Sequence, residues 1–320
     1  MSDKYILPEF EDIKNASVRI KEYIHRTPVL TSQSINELTG AHIFFKCENF
    51  QKAGAFKARG AINAVLQLSS EDLEKGVATH SSGNHAAALA MAAKIAGAQA
   101  HIVMPENAPK IKVAAVKQYG GIITFCEPTL EDRESVLKDV SNRTGAVFIP
   151  PYNHPHIIAG QGTAALELIV ETKYLDIIMA PVGGGGLLSG TAIASKHLSS
   201  NITVIGAEPE QADDAYQSFK SGQLIPAKNP ITIADGLKTS LGTLTFEAIQ
   251  KFTDEIYTVS ESAISDAMRM IWERMKIIVE PSCAVPLAAI FTYPEYFRGK
   301  KTGIILSGGN VDLHRLPWHQ

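Results

Sequence analysis

The chain has 320 residues, 45% of them hydrophobic and 20% charged, enough apolar material for a large buried core and for two lobes. A formal net charge of -3, with no basic run longer than Lys300-Lys301, excludes the electrostatic footprint of a nucleic-acid or anionic-membrane binder and suits a small neutral or zwitterionic ligand. No uninterrupted apolar stretch reaches the roughly 18 residues of a membrane span, and Met1 to Glu11 lacks a basic segment followed by an apolar one, so neither spanning nor export is expected. Cys47, Cys126 and Cys283 cannot all pair and none stands in C-x-x-C spacing, which fits reduced thiols in a cytosolic setting.

In chain order, residues 12–24 place Ile13, Ala16, Ile20, Tyr23 and Ile24 at near-helical spacing, ending before Thr27-Pro28, and predict an outer helix. His42 to Cys47 reads as a strand and Ala58 to Leu68 as a helix, which sets Lys57 at a strand-to-helix junction inside Asn49 to Ala61. Val77-Ala78-Thr79 is a short strand running into Ser81-Ser82-Gly83-Asn84-His85, and Ala86 to Ile95 is an alanine-rich helix. Two strand-helix units follow: Ala100 to Met104 with Lys110 to Tyr119, then Ile122 to Cys126 with Leu130 to Arg143. Strand Val147 to Pro150 leads through Tyr152-Asn153-His154-Pro155 into a helix from about Ile157 to Thr172. Asp176 to Val182 is a buried strand, Gly183 to Gly186 a loop without side chains, and Leu187 to Leu198 a helix. Strand Thr203 to Glu208 leads to Pro209-Glu210-Gln211-Ala212-Asp213-Asp214, and Thr302 to Leu306 delivers Ser307-Gly308-Gly309-Asn310. Strands alternating with helices imply an α/β fold with parallel sheets, whose ligands gather at the carboxyl ends of strands.

Lys57 by itself reads as a solvated lysine in a first helical turn. The tetraglycine changes that reading: four glycines before a helix offer unpaired N–H donors and a favourable dipole to an anion. Neither nucleotide fingerprint fits, because Leu188 and Ser189 stand where the dinucleotide pattern needs its last glycine and Thr191 follows Gly190 where the P-loop needs lysine. An amine for an aldehyde and N–H groups for a phosphate are what a phosphorylated aldehyde cofactor requires, which points to pyridoxal phosphate. Ser82 reads equally well as an N-cap of the following helix. His154 and His156 have no cysteine or carboxylate at zinc spacing and read as loop or helix-start residues.

Asn49 to Ala61, Ser81 to His85, Gly160-Gln161-Gly162-Thr163, the tetraglycine and Ser307 to Asn310 occur in an order that resembles the fold-type II pyridoxal-phosphate enzymes, specifically the serine racemase and threonine/serine dehydratase branch. The resemblance runs from about Ile20 to Leu313. It implies a small domain, residues 53–145, inserted into a large cofactor-binding domain of residues 1–52 and 146–320, and a homodimer. It implies Lys57 as the cofactor-bound lysine and as a base at the substrate Cα, with Ser82 as a second base on the opposite face. Phe56 would lie against the cofactor ring, Asn84 would bind its 3-hydroxyl, Gly183, Gly184, Gly185 and Gly186 would hold the phosphate, and Ser307 would hydrogen-bond the pyridine nitrogen. Ser81, Ser82, Gly83, Asn84 and His85 would receive the substrate carboxylate. Glu208 and Asp214, with the Ala212 carbonyl, match positions that bind a divalent cation in eukaryotic-type serine racemases, and hard oxygen ligands suit Mg²⁺, Ca²⁺ or Mn²⁺ rather than zinc.

Two departures alter what the resemblance implies. Ala87 stands where relatives carry a glutamine that in animal serine racemases helps bind an activating nucleotide, so ATP activation is open. The chain ends at Gln320 without the regulatory domain of biosynthetic threonine dehydratases, so feedback inhibition by isoleucine is not expected. The expected activity is racemisation of serine and elimination of water from L-serine or L-threonine to a 2-keto acid and ammonia, with 3-hydroxyaspartate dehydration as the alternative. A catalytically silent amino-acid or nucleotide-binding protein on the same fold is the reading from another class.

Overall fold

The computed structural model describes residues 5–81 and 83–319, with the His319 side chain outside that description. Its strands are β1 Val29–Leu30, β2 His42–Cys47, β3 Val77–His80, β4 Ala100–Pro105, β5 Ile122–Cys126, β6 Val147–Phe148, β7 Ile177–Pro181, β8 Thr203–Pro209, β9 Glu255–Val259 and β10 Lys301–Leu306. Its helices are α1 Phe10–Ile20, α2 Gln33–Thr39, α3 Lys57–Val65, α4 Ser70–Lys75, α5 Asn84–Ala96, α6 Lys110–Gln118, α7 Leu130–Thr144, α8 Pro155–Thr172, α9 Gly186–Leu198, α10 Asp214–Ser221, α11 Thr243–Phe252, α12 Glu261–Met275, α13 Pro281–Thr292 and α14 Pro294–Phe297.

The strands form a six-stranded sheet in the order β1-β2-β10-β7-β8-β9 and a four-stranded sheet in the order β5-β4-β3-β6. Among the described strands only the β1–β2 ladder is antiparallel; the other ladders are parallel, which is why helices connect the strands. Alternate residues of the large sheet serve two cores. Ile177, Met179, Ile205, Ala207, Ile304 and Leu306 pack with α12 and α13, whereas Ile178, Ala180, Val204 and Ile305 pack with α1, α8, α9 and α11. A third core unites Val77, Ile102 and Met104 of the small sheet with α3, α5 and Val116 of α6.

The strands and helices read from the sequence are present within a few residues of their expected ends, with Val147 to Pro150 shortened to Val147–Phe148. Lys57 does not follow β2 directly: two 3₁₀ turns, Glu48–Phe50 and Lys52–Gly54, intervene. They need left-handed backbone at Ala53 (φ 57°) and Gly54 (φ 69°), and a side chain on Gly54 would collide with the Asn310 amide. We propose the two-domain division, with its second boundary after Phe148 rather than at 145, because β6 pairs with β3 in the small sheet.

Helix α3 is shared by both halves. Ala58, Ala61, Ile62 and Val65 enter the small-sheet core, while the same helix presses backbone to backbone on α8. A Cβ on Gly160 would sit 2.6 Å from Gly60 Cα and 2.7 Å from the Arg59 carbonyl; at the next crossing, one on Gly190 would sit 2.5 Å from Gly162 N. Gly160→Ala should therefore cost roughly 1–3 kcal/mol through forced separation of α3 and α8. Thermal denaturation should show the midpoint falling by several degrees; an unchanged midpoint would mean the crossing can relax.

Candidate active site

Ser81 after β3, Gly183–Gly185 after β7 and Ser307–Asn310 after β10 lie at the carboxyl ends of parallel strands and border one cleft. Lys57, the first residue of α3, donates from Nζ to the Pro151 carbonyl at 2.6 Å and lies 5.1 Å from the centroid of the Phe56 ring. Burial disfavours its charged form and lowers its pKa to about 8, against the pull of the Glu280 carboxylate, which raises it. The amine is thus much easier to neutralise than an ordinary lysine's.

Pro151 is followed by Tyr152, whose ring lies on the tetraglycine, and this brings Lys57 to the loop that was expected to serve it. A Cβ on Gly184 would overlap the Tyr152 ring, and one on Gly186 would reach 3.0 Å from Tyr152 Cβ. One on Gly183 would reach 2.8 Å from Leu237 Cα, and one on Gly185 2.7 Å from Leu241 Cδ2, besides the strain of its φ of +84°. A side chain at Gly183, Gly184 or Gly185 would force a neighbour to move, and one at Gly186 would be tight. Among the described residues their N–H groups find no backbone carbonyl partner, so the start of α9 keeps its donors for an anion. The Tyr152 hydroxyl is held by Thr239 Oγ1 at 3.0 Å, and Asn153 Oδ1 accepts from the N–H groups of Leu244 and Thr245, which pins this wall of the cleft to the start of α11.

Opposite, Phe56 N–H donates to the Ser307 carbonyl at 3.0 Å and Ala55 bridges to Gly308, which places Ser307 beside Phe56 and Lys57. Asn84 is more engaged than the sequence suggests. Its Nδ2 donates to Glu280 Oε1 at 2.8 Å and its Oδ1 accepts from Asn310 Nδ2 at 3.0 Å, leaving one amide hydrogen to offer the cleft. Glu280 was not singled out from the sequence, although a lone carboxylate beside the apolar run Pro281 to Ile290 is a readable anomaly. It is buried, its Oε2 has no partner among the described residues, and burial lifts its pKa to about 7, with Lys112 acting to lower it. Lys112 also went unread, because nothing separates it from the other lysines of α6. Burial works against its charge, yet Asp235 and Glu280 raise its pKa, and its ammonium pairs with Asp235 across the cleft.

Ser81, Gly83, Asn84 and His85 line the start of α5, with Gly83 N–H bonded to Ser81 Oγ at 3.3 Å. Ser82 lies outside the described residues. The His85 side chain is turned away from this role: it is buried, with Nε2 3.0 Å from the Ile149 carbonyl, and burial first and Lys57 second lower its pKa to about 3, so it is neutral and braces the loop. Glu208 and Asp214 meet where β8 gives way to α10, with buried Ala212 between them in sequence. The Glu208 carboxylate accepts from the N–H groups of Ala215 (3.2 Å) and Tyr216 (2.9 Å), and burial followed by Asp214 raises its pKa. Both Asp214 oxygens are buried without a hydrogen-bond partner among the described residues, and burial raises its pKa to about 7; the N–H groups of Asp214 itself and Leu241 oppose this without reaching bonding geometry. No group of three or more His, Cys, Asp or Glu side chains able to hold a metal is present among the described residues.

An α/β fold whose buried lysine amine lies beside a glycine-built helix start suits a phosphorylated aldehyde. The chain belongs to the pyridoxal-phosphate dependent enzyme family, whose model matches residues 20–308. It is 52% identical over 313 residues to the beta-hydroxyaspartate dehydratase of Paracoccus denitrificans (98% of this chain, 99% of that protein) and 49% identical over 316 residues to the serine racemase of Schizosaccharomyces pombe (98% of each). The structure of maize serine racemase superposes with a TM-score of 0.95 at 48% identity, covering 98% of this chain and 97% of that one.

With its pKa near 7, Glu280 is mostly ionised at the pH where Lys57 titrates, so its field is felt there. Glu280→Gln should remove the negative charge that raises the Lys57 pKa and shift the amine further below 8. The pH dependence of pyridoxal phosphate uptake by the cofactor-free protein should then move to lower pH; an unmoved profile would show that Glu280 does not act on the amine.

Proposed function

We propose that the protein is a pyridoxal-phosphate dependent racemase and dehydratase of β-hydroxy amino acids, acting on serine and eliminating water from L-serine or L-threonine. The observation that carries this reading is the Lys57 amine, partly neutralised by burial, on the Pro151 carbonyl next to the Tyr152-covered tetraglycine. When bound, pyridoxal phosphate supplies an aldehyde for the lysine and a ring that takes up the electron pair of the broken Cα–H bond. Gly183 to Gly186 would hold its phosphate, Phe56 would lie against its ring, Ser307 would hydrogen-bond the pyridine nitrogen, and Asn84 would offer its remaining amide hydrogen to the ring hydroxyl. The start of α5, with Ser81, Gly83, Asn84 and the His85 N–H, receives the substrate carboxylate, supported by the helix dipole. Lys57 moves the proton on one face of Cα and Ser82 on the other, which permits racemisation, while loss of the β-hydroxyl gives the keto acid after hydrolysis.

A second reading, dehydration of 3-hydroxyaspartate, is favoured by the Paracoccus relative and by Arg133 on α7. Its buried Nε has no partner among the described residues, and it lies near enough to His80, just before the substrate loop, to act against that residue's charge. A second substrate carboxylate would satisfy it. We also propose a divalent cation, Mg²⁺ by preference, held by Glu208, Asp214 and the Ala212 carbonyl; the two unsatisfied Asp214 oxygens support it. A cytoplasmic homodimer completes the reading, supported by three buried, unpaired cysteines for the location and by family kinship for the dimer. No helix among the described residues is long and apolar enough to cross a membrane.

Keto acid and D-isomer should be assayed on L-serine, L-threonine and hydroxyaspartate. Lys57→Ala should abolish both products, and Ser82→Ala should lower D-serine by roughly 10²- to 10⁴-fold while keeping part of the elimination. A D-serine to pyruvate ratio unchanged in Ser82→Ala would leave a plain dehydratase, and turnover of hydroxyaspartate alone would make the second reading the function. Chelation should lower activity and thermal midpoint together in the wild type. Glu208→Gln should respond less, and identical responses would place the cation elsewhere.

A further inference from the structure

Arg59 stands two residues after Lys57, and a two-residue step turns a helix by about 200°, so the two side chains leave the first turn of α3 on opposite sides. Lys57 meets the cleft; Arg59 is buried completely against β2 and α8. Each of its five N–H groups has an acceptor. Nε donates to Glu48 Oε2 at 2.7 Å, and Nη2 donates to Glu48 Oε1 at 2.8 Å and Glu167 Oε2 at 2.9 Å. Nη1 donates to Glu167 Oε1 at 2.8 Å and Thr163 Oγ1 at 3.1 Å. The carboxylates are anchored in turn: Thr27 Oγ1 donates to Glu48 at 2.5 Å, and buried Lys46 pairs with Glu167 at 2.6 Å while donating to the Thr27 carbonyl at 2.7 Å. Two cations and two carboxylates thus close a neutral cluster behind the helix start.

A buried ion cluster is a poor device for stability, since well-packed apolar replacements are often as stable or more so, but its geometry is stringent. Helix α3 needs such a constraint. Its N-cap, Phe56, supplies no side-chain cap, and the chain enters it through two 3₁₀ turns with left-handed residues at 53 and 54. Nothing local sets where the first turn begins or how it is rotated. The Arg59 cluster does so, together with the Gly60 N–H bonded to Gln161 Oε1 at 3.2 Å and the Gly60–Gly160 contact. Gln161 and Gly160, like Thr163 and Glu167, belong to α8, and the Pro151 carbonyl that receives the Lys57 amine lies four residues before that helix begins.

We propose that Arg59, held by Glu48 and Glu167, is a positioning residue for the Lys57 amine, fixing the rotation and depth of the first turn of α3; this rests on the role proposed for Lys57. Arg59→Lys keeps the charge but, with three donors and no planar fork, cannot pair with both carboxylates in the bidentate manner that Arg59 does. In the holoenzyme it should lower kcat about 10²-fold, as expected for a displacement of about 1 Å, with KM for the amino acid within a few-fold of wild type. In the cofactor-free protein, pyridoxal phosphate uptake should shift to higher pH as Lys57 loses its enclosure. Glu167→Gln, at the partly exposed rim (19% side-chain exposure), should move both quantities the same way by less. It decides the matter if Arg59→Lys does not fold. A cluster that only ties the fold together would lower the thermal midpoint and leave kcat and the pH profile of the folded protein unchanged, and that result overturns the proposal. Borohydride reduction of the wild type with pyridoxal phosphate, followed by peptide mapping, separates the two levels. An adduct on a lysine other than Lys57 overturns the proposed function and this role together, whereas an adduct on Lys57 with variants like wild type overturns this role alone.

Discussion

The site depends on one costly act, the enclosure of a lysine amine. An ammonium taken out of water must be compensated or give up its proton, and at Lys57 both happen in part. The Pro151 carbonyl accepts one hydrogen bond, Glu280 supplies distant negative charge, and the balance leaves the pKa at about 8. The compensation then propagates. Glu280 is itself buried and needs Lys112 and the Asn84 amide; Lys112 needs Asp235; Asn84 is completed by Asn310. Each group is a partial answer to the burial of the one before it, so the cleft behaves as one linked electrostatic unit and not as a set of separate residues.

The scaffold serves this unit by bringing backbones unusually close. The tetraglycine is covered by Tyr152 and Leu237, α3 lies on α8 through Gly60 and Gly160, and α8 lies on α9 through Gly162 and Gly190. Lys57, the tetraglycine helix start and the Tyr152 segment therefore lie on or just before three helices in direct backbone contact, which leaves little slack between the amine and the loop beside it. The neutral ion cluster around Arg59 lies on the far side of the same contact, away from the chemistry, where its five hydrogen bonds define the start of α3.

The Glu208 and Asp214 pair follows a different logic. Glu208 spends its oxygens on the first N–H groups of α10, as a capping carboxylate does, whereas Asp214 keeps both oxygens buried and unsatisfied. Burial raises the pKa of each carboxylate, with Asp214 adding to the rise at Glu208 and Asp213 to that at Asp214, and a bound cation would reverse it.

By itself the sequence determined the alternation of strands and helices, the glycine loop at the end of β7, the serine loop at the end of β3 and the lysine at the start of α3. All of these are local: periodicity, glycine runs and turn residues act over a few neighbours, so they are legible without the fold. Family likeness then carried roles onto Phe56, Ser307, Glu208 and Asp214. Between Asp214 and Thr302, β9 and α10 to α14 stayed unread: α13 is apolar on every side and shows no amphipathic face, whereas α10, α11 and α12 do carry amphipathic patterns that the sequence makes legible. Only the tertiary structure decided which charges share the cleft. Asn84 meets Glu280 across 196 residues of chain and Lys112 meets Asp235 across 123. Arg59 meets Glu167 across 108, and the Lys57 amine finds the Pro151 carbonyl across 94. The physical reason is that the cost of burying a charge is set by what surrounds it after folding, and no local pattern of residues records who those neighbours will be.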